Sequence, residues 1–105
     1  VPFRPPLSPP AAPLPPLAPP LAETVCAEYN SICHCEHGIV FLGKAFRSGL
    51  PGKGKKTRTV IQMRQAGNVA STQGSVYCSN YAFPYRYDPA PMHYKHCICT
   101  TLMPP

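Results

Sequence analysis

Acidic side chains are scarce in this chain. There are four in 105 residues, and none between His37 and Asp88. A site built from clustered carboxylates therefore has few residues to draw on. Tryptophan is absent, so a small core must be built from tyrosine, phenylalanine, aliphatic residues and cysteine. No apolar run reaches the roughly 18 residues that a membrane-spanning helix needs. No Asn-x-Ser/Thr acceptor occurs, which excludes N-glycosylation. The segment 49–57, GLPGKGKKT, falls short of a phosphate-binding loop, because Lys56 stands where Ser or Thr must reach magnesium. The alternation of strands and helices expected of a parallel α/β core is missing as well. No internal repeat of useful length appears, beyond a reversed likeness between CHCEH at 33–37 and HYKHCIC at 93–99.

What the chain does hold is cysteine, proline and positive charge. Six cysteines in a chain of this length form an even, dense set, read as a disulfide framework of a secreted protein. A chain that opens on Val1 is expected to be a mature form without its leader, or a trimmed one. Residues 1–22 hold ten of the sixteen prolines. Proline fixes φ and removes backbone donors, so an extended arm or pro-segment is expected there. Its Pro-x-x-Pro spacings, such as Pro6–Pro9 and Pro10–Pro13, also suit a proline-binding groove.

The folded domain is expected over residues 23–103. A domain of about eighty residues buries little surface, so covalent ties are expected to help it. Its class is small, disulfide-rich β, or α+β with one short helical turn at 27–31, built on an antiparallel sheet. Strands are expected at 38–42, 57–64 (TRTVIQMR), 76–83 and 95–102 (KHCICTTL), none of which continues at a helical period. The glycine-rich segment 48–56 reads as a mobile loop, 66–68 as a turn, and 83–94 as an ordered loop over the core.

Cys33 and Cys35 share one face of an extended segment, as do Cys97 and Cys99. Antiparallel pairing of the two segments predicts bonds Cys33–Cys99 and Cys35–Cys97, with Cys26–Cys78 as the third. Six cysteines allow fifteen pairings, and the coarser expectation is one bond between the 26–35 group and the 97–99 group. The alternative is a metal site drawing on Cys33, Cys35, His37, His93, Cys97 and Cys99. An extended Cys-x-Cys sets its Cα atoms about 6.5–7 Å apart, which is awkward for one tetrahedral ion. No metal or other cofactor is expected. The same register would set Glu36 opposite His96, a general acid/base pair for phosphodiester cleavage and otherwise a surface charge pair.

Lys44, Arg47, Lys53, Lys55, Lys56, Arg58 and Arg64 all fall in the stretch without acids. Such a one-signed block favours an acidic partner: a host protein, nucleic acid, an anionic glycan or an anionic membrane surface. Lys53, Lys55, Lys56 and Arg58 form its densest part. They are read as a contact surface, together with Tyr85, Arg86 and Tyr87. The blander reading is a solvated hairpin tip kept soluble by charge; a third option is a processing site for a trypsin-like protease.

The opening at Val1, the proline-rich leader, the six cysteines near the ends of a basic core, and Tyr77-Cys78 make up a plan. It resembles small secreted cysteine-rich effectors and toxins of fungal type. Some of these look like degenerate secreted ribonucleases in which a terminal disulfide clasps a β-sheet. The resemblance implies an extracellular protein that acts by binding, expected to be a monomer. A small ribonuclease using Glu36 and His96, or a membrane-active antimicrobial toxin, are its alternatives.

Overall fold

The computed structural model describes residues 21–102; the proline-rich arm expected at 1–22 lies almost wholly outside them. Among the described residues there are eight strands, one α-helix and two short 3-10 turns. The strands are β1 (Leu21–Glu28), β2 (Ile32–Cys33), β3 (Ile39–Lys44), β4 (Phe46–Ser48), β5 (Lys53–Lys56), β6 (Ala70–Gln73), β7 (Val76–Tyr77) and β8 (Lys95–Leu102). The helix α1 spans Val60–Ala66. An antiparallel four-stranded sheet, ordered β1-β8-β3-β6, is the frame. The pairs β2–β7 and β4–β5 are separate two-stranded sheets.

Alternation sorts the side chains of the frame onto two faces. Val40 and Leu42 of β3 pair with Cys99 and Cys97 of β8. They pack with Cys33, Cys35, Ala70, Cys78 and Phe83 in a sulfur-rich core. Phe41 pairs with Ile98 and packs with Val60, Met63 and Val69 on the other face, beneath α1. The helix comes so close that a Cβ on Gly43 would meet Met63 Cγ at 2.5 Å. Only glycine fits that position of the strand.

Three disulfides tie the sulfur-rich face: Cys26–Cys33, Cys35–Cys99 and Cys78–Cys97. Their Cα separations of 5.0, 5.6 and 5.9 Å all fall within the usual span of ~4.4–6.8 Å. The coarser expectation holds, since Cys35–Cys99 joins the two groups. The predicted pairings Cys33–Cys99, Cys35–Cys97 and Cys26–Cys78 do not form. They required the 33–35 segment to lie beside β8, whose two neighbours are β1 and β3. Cys33 instead belongs to β2, which pairs with β7. Cys99 therefore bonds Cys35 beyond β2, and Cys97 bonds Cys78 just after β7. With all six sulfurs bonded, Cys33, Cys35, Cys97 and Cys99 offer no thiolate, and the proposed metal set loses its main ligands. Among the described residues no group of three or more His, Cys, Asp or Glu could hold a metal ion.

Four local expectations also change. TRTVIQMR contains most of α1 rather than a strand. Thr59 caps the helix, its hydroxyl accepting from the Gln62 amide at 3.2 Å. The Gln62 side chain in turn accepts from the Arg58 amide at 2.9 Å, and Glu23 accepts from the Val60 amide at 3.2 Å. These contacts satisfy amides that the first turn leaves free, and Gly67 closes the other end by donating to the Met63 carbonyl at 3.1 Å. Segment 48–56 is not a plain loop. Phe46 pairs with Lys56, and Ser48 with Lys53, to make a hairpin. The region expected as a strand over 76–83 stops being one after Tyr77 and turns through a 3-10 segment, Asn80–Ala82. The helical turn expected at 27–31 is the end of β1 followed by a turn.

Candidate functional site

The β4–β5 hairpin springs from the end of β3 and is strapped back to the start of β8. The Ala45 amide donates to the Tyr94 carbonyl at 2.8 Å, and the Tyr94 amide donates to the Pro51 carbonyl at 2.7 Å. The strap leaves a groove of about 420 Å³ between hairpin and sheet. Four pieces of chain line it: Glu28 and Tyr29, Ala45 and Phe46, Lys56, and His93 to His96. Its volume lies toward the lower end of the roughly 300–1,000 Å³ usual for small-ligand sites.

Three aromatic rings shape the walls. Phe46 and Tyr94 meet edge to face with centroids 6.2 Å apart. Lys56 Nζ lies 5.8 Å from the Phe46 centroid and Lys95 Nζ lies 5.1 Å from that of Tyr29, both within cation–π range. The Tyr29 hydroxyl donates to Asn80 Oδ1, which fixes the ring. Tyr94 keeps 58 % of its surface exposed, so it has open area for a ligand.

His96 is the buried polar member of this wall, 2 % exposed. The Thr57 hydroxyl lies 2.8 Å from Nε2 and 2.7 Å from the Lys44 carbonyl. A hydroxyl has one proton, and a carbonyl can only accept. Thr57 therefore donates to Lys44 and accepts from His96, which puts the imidazole proton on Nε2 and leaves Nδ1 as an acceptor. Burial, reinforced by the Lys56 cation and opposed by Glu28, lowers the His96 pKa to about 4. At neutral pH the ring is uncharged.

Glu36 does not face His96. It sits in the turn before β3, while the cross-strand neighbours of His96 are Glu28 and Gly43. The one-for-one register of two Cys-x-Cys strands, which would have brought Glu36 there, does not exist. Glu28 takes the place opposite His96, and its carboxylate lies 3.5 Å from Lys56 Nζ. Lys95 is committed elsewhere, at 3.4 Å from Asp88 and donating to the Ala90 and His93 carbonyls.

The predicted contact residues are placed on two different elements. Lys53, Lys55 and Lys56 stand exposed on β5, with Arg58 exposed just beyond it. The salt bridges among the described residues are Lys56–Glu28 and Lys95–Asp88. Lys53, Lys55 and Arg58 thus have no carboxylate partner there. Tyr85 and Arg86 lie in the 3-10 turn Pro84–Arg86, with Tyr87 just after it, packed beside β6 at the far edge of the sheet from β1. Tyr85 is 99 % exposed, and both it and Arg86 take left-handed backbone, with φ of 63° and 49°. That conformation is unfavourable for a bulky residue and is often retained where a side chain must be presented. His93 is half-buried in the groove wall, and His37 lies in the turn before β3.

Sequence reasoning missed Glu28, Tyr29, Phe46 and Tyr94. The run Tyr94-Lys95-His96 was the available signal for one wall. The others come from segments far apart in the chain, which only the sheet order brings together. The chain matches no family model, no curated protein and no solved structure.

Proposed function

We propose that this is a secreted, disulfide-stabilised binding module that grips an acidic macromolecule through the β4–β5 hairpin. The supporting observation is that Lys53 and Lys55 on a hydrogen-bonded hairpin, and Arg58 just beyond it, are exposed and have no carboxylate partner among the described residues. Like charges on neighbouring positions repel one another, and among the described residues no carboxylate forms a salt bridge with Lys53, Lys55 or Arg58. A polyanion would relieve that repulsion. Three disulfides in so small a domain are compatible with an oxidising, extracellular setting.

Binding is favoured over cleavage by the state of His96. A general acid for phosphodiester cleavage must carry a proton to give away near neutral pH. Burial keeps His96 neutral there, and its remaining proton is held by Thr57. At neutral pH the ring offers Nδ1 as an acceptor and has no proton to give as a general acid.

Retention on immobilised heparin tests the reading. The parent protein should be retained and should elute with salt, because exposed charges are screened over a Debye length of about 10 Å at 0.1 M. Lys53→Ala/Lys55→Ala should elute at clearly lower salt. Unchanged elution of the double variant would remove the hairpin from the function.

A further inference from the structure

The groove beside the hairpin separates two kinds of chemistry. Outside it, Lys53 and Lys55 offer unpartnered positive charge. Inside it stand two hydrogen-bond acceptors, the Glu28 carboxylate and His96 Nδ1, the rings of Tyr29, Phe46 and Tyr94, and the Lys56 and Lys95 ammoniums, each beside a carboxylate. Thr57 occupies Nε2, and no buried side-chain nitrogen or oxygen among the described residues lacks a partner. Nδ1, with no such partner, is therefore not sealed off from solvent.

This division selects among polyanions. The Lys56 and Lys95 ammoniums that also line the groove are already paired with Glu28 and Asp88, so a sulfate or carboxylate group entering it finds no uncommitted cation there. An uncharged, planar group bearing N–H donors would be accepted, stacked on an aromatic face and hydrogen-bonded at its edge. A nucleobase has that character, and its strand carries one phosphate per residue for the lysines. In a duplex the base faces and pairing edges are already occupied, so only an unpaired base can enter. Cationic tracking of the backbone with aromatic stacking of bases is the general mode of single-strand binding.

Building on the hairpin reading, we propose that the groove between Glu28 and Tyr94 receives one base of a single-stranded nucleic acid whose phosphates lie along Lys53 and Lys55. The lysines supply sequence-independent attraction. The groove supplies the preference for an unpaired strand. Tyr94 is the stacking residue, since it combines groove position with open surface.

Fluorescence anisotropy with a labelled ten-nucleotide single-stranded RNA, the same sequence as a duplex, and labelled heparin tests this. The parent should prefer the single strand. Tyr94→Leu should weaken single-strand binding about five-fold or more, as loss of a stacked base does, and leave heparin affinity unchanged. For a readout free of substitution, adenosine monophosphate added to the parent should shift the Tyr94 and His96 ring signals in NMR spectra, and inorganic phosphate should not. Equal binding of all three polyanions would overturn the base-binding groove while leaving the hairpin reading intact. So would ring shifts that inorganic phosphate reproduces, or a folded Tyr94→Leu with parental single-strand affinity. Absence of binding to every probe would sink both.

Discussion

Replacing Cys35 and Cys99 together by alanine should cost more stability than removing either of the other two bonds. Cys35–Cys99 spans 64 residues of sequence, against 19 for Cys78–Cys97 and 7 for Cys26–Cys33. In the chain-entropy picture the three are worth about 4, 3 and 2.5 kcal/mol in that order. The Cys78–Cys97 bond lies within the longer loop and shortens it. The dependence is logarithmic, so the figure of about 4 kcal/mol hardly changes. A domain of this size holds a total stability of roughly 4–12 kcal/mol. The Cys35→Ala/Cys99→Ala variant should therefore melt some 15–30 °C below the parent. Thermal unfolding followed by circular dichroism without reductant gives the ranking. If Cys26→Ala/Cys33→Ala melted lower than Cys35→Ala/Cys99→Ala, or if peptide mapping recovered a Cys33–Cys99 linkage, the reasoning would fail.

Two further outcomes are expected. His96 has a folded pKa near 4 against an ordinary value of about 6.5 in the unfolded chain. Between those values the unfolded state takes up a proton that the folded state refuses. This contribution is complete above pH 6.5, declines as pH falls toward 4, and amounts to about 3 kcal/mol. Urea midpoints at pH 7 and pH 4.5 should fall further apart for the parent than for His96→Asn; parallel behaviour would show that the ring is not the source. Thr59→Ala should lower the melting free energy by about 1 kcal/mol through loss of the helix cap, and an unchanged melting curve would leave Glu23 and Gln62 as sufficient anchors.

The parts of the fold that a local pattern controls were legible. KHCICTTL alternates and is β8, residue for residue. TRTVIQMR was misread because β-branched residues favour strands, while Thr59, Gln62 and Gly67 supply start and stop signals that outweigh them. The disulfide pairing was not legible. It depends on which strands flank β8, and β3 displaces the Cys33 segment from that position. The cationic stretch could be read as a charged hairpin tip or a mobile loop, but the sequence did not decide between them, because Gly49 and Gly54 look like loop residues and in fact supply the positive φ the hairpin needs. The groove was the least visible feature. Its walls come from four separated segments, and no spacing in the sequence brings Glu28 beside His96.

The order of the strands makes this a natural split protein. If the chain is divided within the hairpin turn, β1 and β3 go with the first half, and β6 and β8 with the second. In the frame those strands interleave, first half and second half by turns. Neither fragment could assemble a sheet alone, and each would complete the other. Cys26–Cys33 closes within one piece and Cys78–Cys97 within the other, so Cys35–Cys99 becomes the sole covalent weld formed when the fragments find each other.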